Sequence, residues 1–212
     1  MQELVMGIDE AGRGPVIGPM VVCGIMTKKG CIPELVQMGV KDSKLLSPSR
    51  RERLKTLIER IAVRWKLIKI PPSQIDRYSM NFLHLKAIAQ LIDEFSPYET
   101  IIDCPTSCPP SFERKIKALI KVKDTKLVVE NFADKRYSIV SAASILAKVA
   151  RDEEIKNISS LYSDIGSGYP SDKRTIEFIK RCLREDKVLP EIIRKKWKTT
   201  KNLIAEQENK DE

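Results

Sequence analysis

The sequence predicts an α/β chain, and three observations predict it. Five apolar runs are short enough to be strands, segments of helical period alternate with most of them, and acidic residues sit where several of the strand runs end.

The first run, Val5-Met6-Gly7-Ile8, is too brief and too glycine-punctuated for a helix and reads as a buried strand. It ends in Asp9 and Glu10, followed by Gly12-Arg13-Gly14-Pro15. Successive side chains of a strand face opposite ways, so these acids converge on one site only if the strand breaks between or beside them. Gly12 and Gly14 permit such a break and a close approach of ligand to backbone. Taken alone, the string is equally a solvated acidic turn. Met20 to Met26 is β-rich, and the short Pro15 to Pro19 link predicts antiparallel pairing with the first strand.

Cys31 to Met38 reads as a short helix. In the polar loop Lys41 to Pro48, Ser47 can cap a helix from Pro48 to about Ile61, with Leu54, Ile58 and Ile61 on one face. Val63 to Ile70 is a third strand closed by Pro71-Pro72, and Ser73 to Arg77 a turn. Asn81 to Phe95 is an amphipathic helix carrying His84, which is assigned a structural or surface role rather than a catalytic one. Glu99 to Asp103 is a fourth strand, Ser111 to Leu119 a helix and Thr125 to Glu130 a fifth strand. From Tyr137 to about Ile158, the residues Ile139, Ala142, Ala143, Leu146, Val149 and Ala150 form a small, apolar face suited to close packing on a sheet. Asp134 precedes that helix, where its bland role is to cap it. A second glycine-rich loop, Gly166 to Asp172, leads into a basic helix to about Arg184. A short helix is expected from Pro190 through Lys198, anchored by Trp197, then a frayed tail after Asn202.

The 212 residues suit one domain with a small appendage. We expect a core over 1–170, a basic helical extension over 171–202 and a charged tail over 203–212. The net charge is +9, and the segment Lys173 to Lys201 holds eleven Lys/Arg against four Asp/Glu. So local an excess is the footprint expected of a polyanion-binding surface. Five scattered cysteines form no secreted disulfide framework, and Cys104 and Cys108 lack the partners of a zinc site, since His84 is the one histidine. The N-terminus has no signal-peptide pattern and no apolar run is long enough to span a membrane, so a cytoplasmic protein is expected.

Asp9, Glu10, Asp103 and Asp134 thus terminate strands or precede a helix. Gathered at one edge of an open sheet they would repel and raise one another's pKa unless cations neutralised them. Hard divalent ions with oxygen ligands do this, and a pair of such ions stabilises the attacking and leaving oxygens of phosphoryl displacement.

The string Gly7 to Pro15, with Asp42-Ser43-Lys44, Asp103, Ala133-Asp134, Val140 to Val149, Arg151-Asp152 and Gly166 to Pro170, closely resembles type 2 ribonuclease H (ribonuclease HII) of the archaeal and eukaryotic-like branch. The resemblance runs from about residue 5 to 200. It implies a ribonuclease H-like fold, a central mixed five-stranded sheet flanked by helices with a helical C-terminal extension. It implies hydrolysis of the RNA strand of RNA–DNA hybrids and incision 5′ of ribonucleotides embedded in duplex DNA, leaving 3′-hydroxyl and 5′-phosphate ends, with two Mg2+ or Mn2+ ions. By motif position Asp9, Glu10, Asp103 and Asp134 are the metal-binding acids. Gly12, Arg13 and Gly14 resemble the element that reads the ribose 2′-hydroxyl, and Tyr169 the tyrosine that packs on the neighbouring sugar. Lys44, Ser141, Ser144 and Lys148 fall where phosphates are held. The sequence departs at Asn131-Phe132, where many archaeal relatives have a histidine-lysine pair. It shows no recognisable sliding-clamp peptide, and a monomer is expected. The alternatives are another nuclease of the same fold, such as a DNA-junction resolvase, and a non-catalytic nucleic-acid-binding module.

Overall fold

The computed structural model describes residues 3–40, 46–185 and 188–211. Five strands form one mixed sheet in the order β3-β2-β1-β4-β5. They are β1 (Leu4–Ala11), β2 (Met20–Lys28), β3 (Arg64–Ile70), β4 (Glu99–Asp103) and β5 (Lys126–Glu130). β1 runs antiparallel to β2, from Leu4 opposite Lys28 to Ala11 opposite Val21, and parallel to β4, which is parallel to β5. The helices are α1 (Ile32–Gln37), α2 (Pro48–Ile61), α3 (Pro72–Arg77), α4 (Met80–Phe95), α5 (Pro109–Leu119), α6 (Ala133–Arg136), α7 (Ser138–Leu161), α8 (Lys173–Glu185) and α9 (Lys198–Asp211). Ser47 caps α2 as expected, its hydroxyl accepting from the Arg50 amide, with Pro48 opening the helix. Among the described residues no helix is long and apolar enough to cross a membrane.

The chain divides into two compact units. The first comprises Met1–Ala11, Val21–Ile68 and Asn81–Ala150. Its core is built on β1 and the first two-thirds of α7, where Ile139, Val140, Ala142, Ala143, Ile145, Leu146 and Ala147 are all buried. The predicted small-residue face has a physical partner at Gly7. A Cβ there would lie 2.4 Å from the Ile139 carbonyl oxygen, so glycine is what lets strand and helix backbones meet. Leu54 and Ile58 of α2 join this core.

The second unit comprises Gly12–Met20, Lys69–Met80 and Arg151–Glu212. Its core gathers Val16, Ile17, Ile158, Ile165, Phe178, Ile179, Cys182, Ile193 and Leu203. α8 is amphipathic: Phe178, Ile179 and Cys182 point inward and most of its basic side chains face outward.

Four local expectations are corrected. β1 does not break at Asp9 and Glu10; both pair with β2, opposite Cys23 and Val22, because the ladder hydrogen bonds to β2 continue to Ala11. Residues 73–77, expected as a turn, belong to the short helix α3, which the rigid φ of Pro72 at its first position favours. No helix forms from Pro190 to Trp197. There Ile193 makes a β-bridge with Ile17 and the Arg194 amide donates to the Val16 carbonyl, so the chain forms two turns on either side of the bridge, closed by the Ile193 and Trp197 amides on the Pro190 and Arg194 carbonyls. The final helix starts at Lys198 and continues through the expected frayed tail to Asp211, anchored by the buried Leu203.

Candidate active site

Asp9 is 5% exposed near the end of β1. Burial, then the neighbouring Glu10 and Asp103 carboxylates, push its carboxyl well above the usual carboxylate range; the Ser144 hydroxyl and the Glu10 amide, which donates to Oδ1 at 2.7 Å, pull the other way. The three acids therefore share one field although the strand stays regular. The Glu10 side chain reaches α4, where its Oε2 lies 3.3 Å from Nε2 of the fully buried His84, whose ring also packs on Phe112. His84 is therefore not a surface residue, and it lies against a member of the acid cluster.

Asp103 ends β4 and accepts the Ala133 amide on Oδ1 at 2.7 Å, which couples it to the segment carrying Asp134. Asp134 is buried in α6, and its carbonyl accepts from the Ser141 hydroxyl of α7. Asp103 and Asp134 line an open cleft of about 520 Å3, together with residues 104–107, Asn131 and Phe132. Among the described residues no three His, Cys, Asp or Glu side chains close around one point at metal-ligand distance. The acids are neighbours rather than a finished cage. An all-oxygen set of this kind suits a hard divalent cation that keeps several waters. The Cys23 thiol facing Asp9 is pushed far up by burial and by that carboxylate, which removes it as a nucleophile or ligand.

Of the residues expected on phosphates, Ser141 and Ser144 are buried with their hydroxyls on the backbone of Asp134 and the carboxylate of Asp9. Lys148 is half-buried on α7, and Lys44 lies outside the described residues.

The predicted sensor residues belong to the second unit. Gly12 has φ +85°, and a Cβ there would lie 2.6 Å from the Pro19 carbonyl oxygen, so this turn accepts only glycine without strain. Gly14 is exposed beside Tyr169, Arg13 half-buried. The Tyr169 ring is 40% exposed, and the Arg151 guanidinium lies 4.9 Å from its centroid while donating to the Ser167 carbonyl at 2.7 Å. Gly168 donates its amide to Thr175 Oγ1, and Asp172 accepts the Ser167 amide, so the loop carrying Tyr169 is tied to the start of α8.

Arg194 escaped sequence reasoning. It sits in the basic run yet is fully buried, its guanidinium donating to the carbonyls of Gly12 at 2.6 Å, Arg13 at 3.2 Å and Gly18 at 2.9 Å, with the Trp197 ring 5.1 Å away. Burial, helped by nearby Arg151, lowers the group to about 10, so it stays charged at neutral pH. One side chain thereby holds both ends of the glycine turn. The signal that could have found it is Arg194 three residues before Trp197, a spacing that lets guanidinium meet indole.

A family model described as Ribonuclease HII matches residues 6–200. A Ribonuclease HII of Methanococcus maripaludis (strain C7 / ATCC BAA-1331) is 42% identical over 212 residues, covering 96% of this chain and 88% of that protein. The chain belongs to the ribonuclease HII family. Ribonuclease HII proteins are metal-dependent endonucleases with ribonuclease H activity on RNA–DNA hybrids, and the fold agrees. The crystal structure of the ribonuclease H2 from Pyrococcus horikoshii OT3 superposes with a TM-score of 0.91 at 37% identity, covering 97% of this chain and 99% of that one. A ribonuclease HII from Archaeoglobus fulgidus, solved as its complex with PCNA, superposes at a TM-score of 0.83 and 36% identity over 92% of this chain and 95% of that one.

Proposed function

We propose that this ribonuclease HII hydrolyses the RNA strand of RNA–DNA hybrids and also incises duplex DNA on the 5′ side of an embedded ribonucleotide, leaving 3′-hydroxyl and 5′-phosphate ends, with Mg2+ or Mn2+. The observation that carries this reading is the acid cluster, in which burial and the Glu10 and Asp103 carboxylates raise the proton affinity of Asp9 while Asp103 and Asp134 share a cleft. Asp9, Glu10, Asp103 and Asp134 would hold two divalent ions. When bound, such ions supply Lewis-acid stabilisation of the charge on the cleaved phosphate.

The chain's own residues prepare that site. His84 steadies Glu10, Ser144 steadies Asp9, and Ser141 steadies the backbone of Asp134. Lys148, with Lys44, is assigned to flanking phosphates. DNA and RNA differ at one oxygen, so selection needs a close polar contact at the 2′-hydroxyl. Backbone groups of Gly12, Arg13 and Gly14 supply it in this reading, and Tyr169, backed by Arg151, packs on the adjacent sugar. The outward basic face of α8 adds sequence-independent phosphate affinity that falls steeply with salt. We assign the protein to the cytoplasm, acting as a monomer, with residues 171–202 as a nucleic-acid-binding extension of a core over 1–170.

The test compares wild type with Asp134→Asn on three duplexes in magnesium: a hybrid, a duplex with one ribonucleotide, and all-DNA. The expected result is cleavage of the first two by wild type and of none by the variant. Near-normal cleavage by Asp134→Asn removes that residue from the mechanism, and equal cutting of all-DNA turns the reading toward a junction resolvase.

A further inference from the structure

Phe132 combines features that stability alone does not explain. It follows β5 in the left-handed backbone region, with φ 59° and ψ 33°, a conformation costly for a residue with a Cβ. Its ring is 62% exposed, so the strain gains no packing in return. The backbone around it is nevertheless pinned on both sides. The Asn131 side-chain amide donates to the carbonyls of Cys104 and Thr106, each at 2.7 Å, and the Ala133 amide donates to Asp103. The ring is thus presented on a fixed loop at the rim of the cleft that holds Asp103 and Asp134. The Lys135 ammonium lies 5.1 Å from its centroid.

We propose that Phe132 is a substrate-contacting residue, its ring packing on the apolar face of a sugar in the strand being cut while Lys135 takes a neighbouring phosphate. This rests on the nuclease reading above. An aromatic face with a cation beside it matches the alternation of sugar and phosphate along a nucleic-acid strand. The position next to Asp103 and Asp134 puts the contact beside the phosphate those acids would serve.

The test measures thermal stability and, by fluorescence anisotropy in calcium, affinity for a short RNA–DNA hybrid, for wild type, Phe132→Gly, Phe132→Tyr and Lys135→Ala. Glycine accepts this backbone region freely, so Phe132→Gly is expected to melt higher than wild type while binding about tenfold more weakly, as loss of an aromatic–nucleotide contact does. Phe132→Tyr keeps the ring and restores affinity. Lys135→Ala lowers the salt dependence of binding by about one phosphate contact. A Phe132→Gly variant that melts higher and binds as wild type overturns the proposal, and so does one that melts lower, because the ring is then a prop for the loop. Cleavage of the hybrid in magnesium keeps the two readings apart. A wild type that binds but never cuts overturns the nuclease and leaves the contact supported; one that cuts, with affinity unchanged in Phe132→Gly, overturns the contact and leaves the nuclease.

Discussion

Both units bury charge, but in opposite ways. In the first, Asp9 is buried beside the like charges of Glu10 and Asp103, and its proton affinity rises. In the second, the Arg194 guanidinium is buried among carbonyl oxygens of Gly12, Arg13 and Gly18 that use its fixed fork of donors. The difference separates two uses of a buried ion. A charge satisfied by its own chain serves structure, whereas charges set against one another are what the proposed metal ions would neutralise.

The comparison breaks most easily at Asp9. Asp9→Asn is expected to cost at least ~100-fold in hybrid cleavage, since metal stabilisation of phosphate charge amounts to several kcal/mol. The same substitution should raise the melting temperature without metal by ~3 °C, the equivalent of ~1 kcal/mol of relieved repulsion in a chain of this size. Magnesium should then stabilise wild type and not the variant. A variant that melts lower without metal would show that the acids are structural. Arg194 should behave in the reverse sense. Arg194→Met leaves several carbonyls without their donor and should cost ~3 kcal/mol, a fall of ~9 °C in calorimetry. Arg194→Lys should recover little, because one ammonium cannot span three carbonyls in that geometry; full recovery would reduce the residue to a simple charge.

A smaller effect sharpens the contrast. Gly12→Ala places a Cβ against the Pro19 carbonyl at positive φ and should cost ~1–2 kcal/mol. The preference for ribonucleotide-containing over all-DNA duplex should fall, with the magnesium-induced thermal shift intact. Retained preference would put the sensor elsewhere. Least of all should come from Asp172, whose carboxyl is held at about 2 by the Ser167 amide and hydroxyl and the Arg174 amide. Because the folded value lies below the ordinary 3.8, its contribution is complete above about pH 4 and disappears as pH falls toward 2. The Asp172→Asn variant should lose that segment of the melting-temperature profile; superimposable profiles would assign the loop no share of acid stability.

Much of this was legible in the sequence because it is local. The apolar runs, the Ser47-Pro48 start of α2 and the small-residue face of α7 follow from the period and chemistry of neighbouring residues, and so did the acids at strand ends. What was missed depends on partners far along the chain. The glycines after Glu10 suggested a break, but pairing with β2 carries β1 through to Ala11. Arg194 counted as one more surface cation in a basic run, since its acceptors lie 176 or more residues away. The charged residues after Asn202 read as a frayed tail, whereas Leu203 is buried in the core that α8 also lines and α9 runs on to Asp211. Asn131 and Phe132 read as a departure from a pattern, and only the backbone angles and the Cys104 and Thr106 carbonyls give them a shape.

The hold of Arg194 on the glycine turn also has an order in time. Gly12 and Gly18 are synthesised 182 and 176 residues before their guanidinium partner. At about 5–20 residues per second, that interval is on the order of ten to forty seconds. Throughout synthesis of the five strands the glycine turn lacks this anchor, and it gains one only after the last of them has been made.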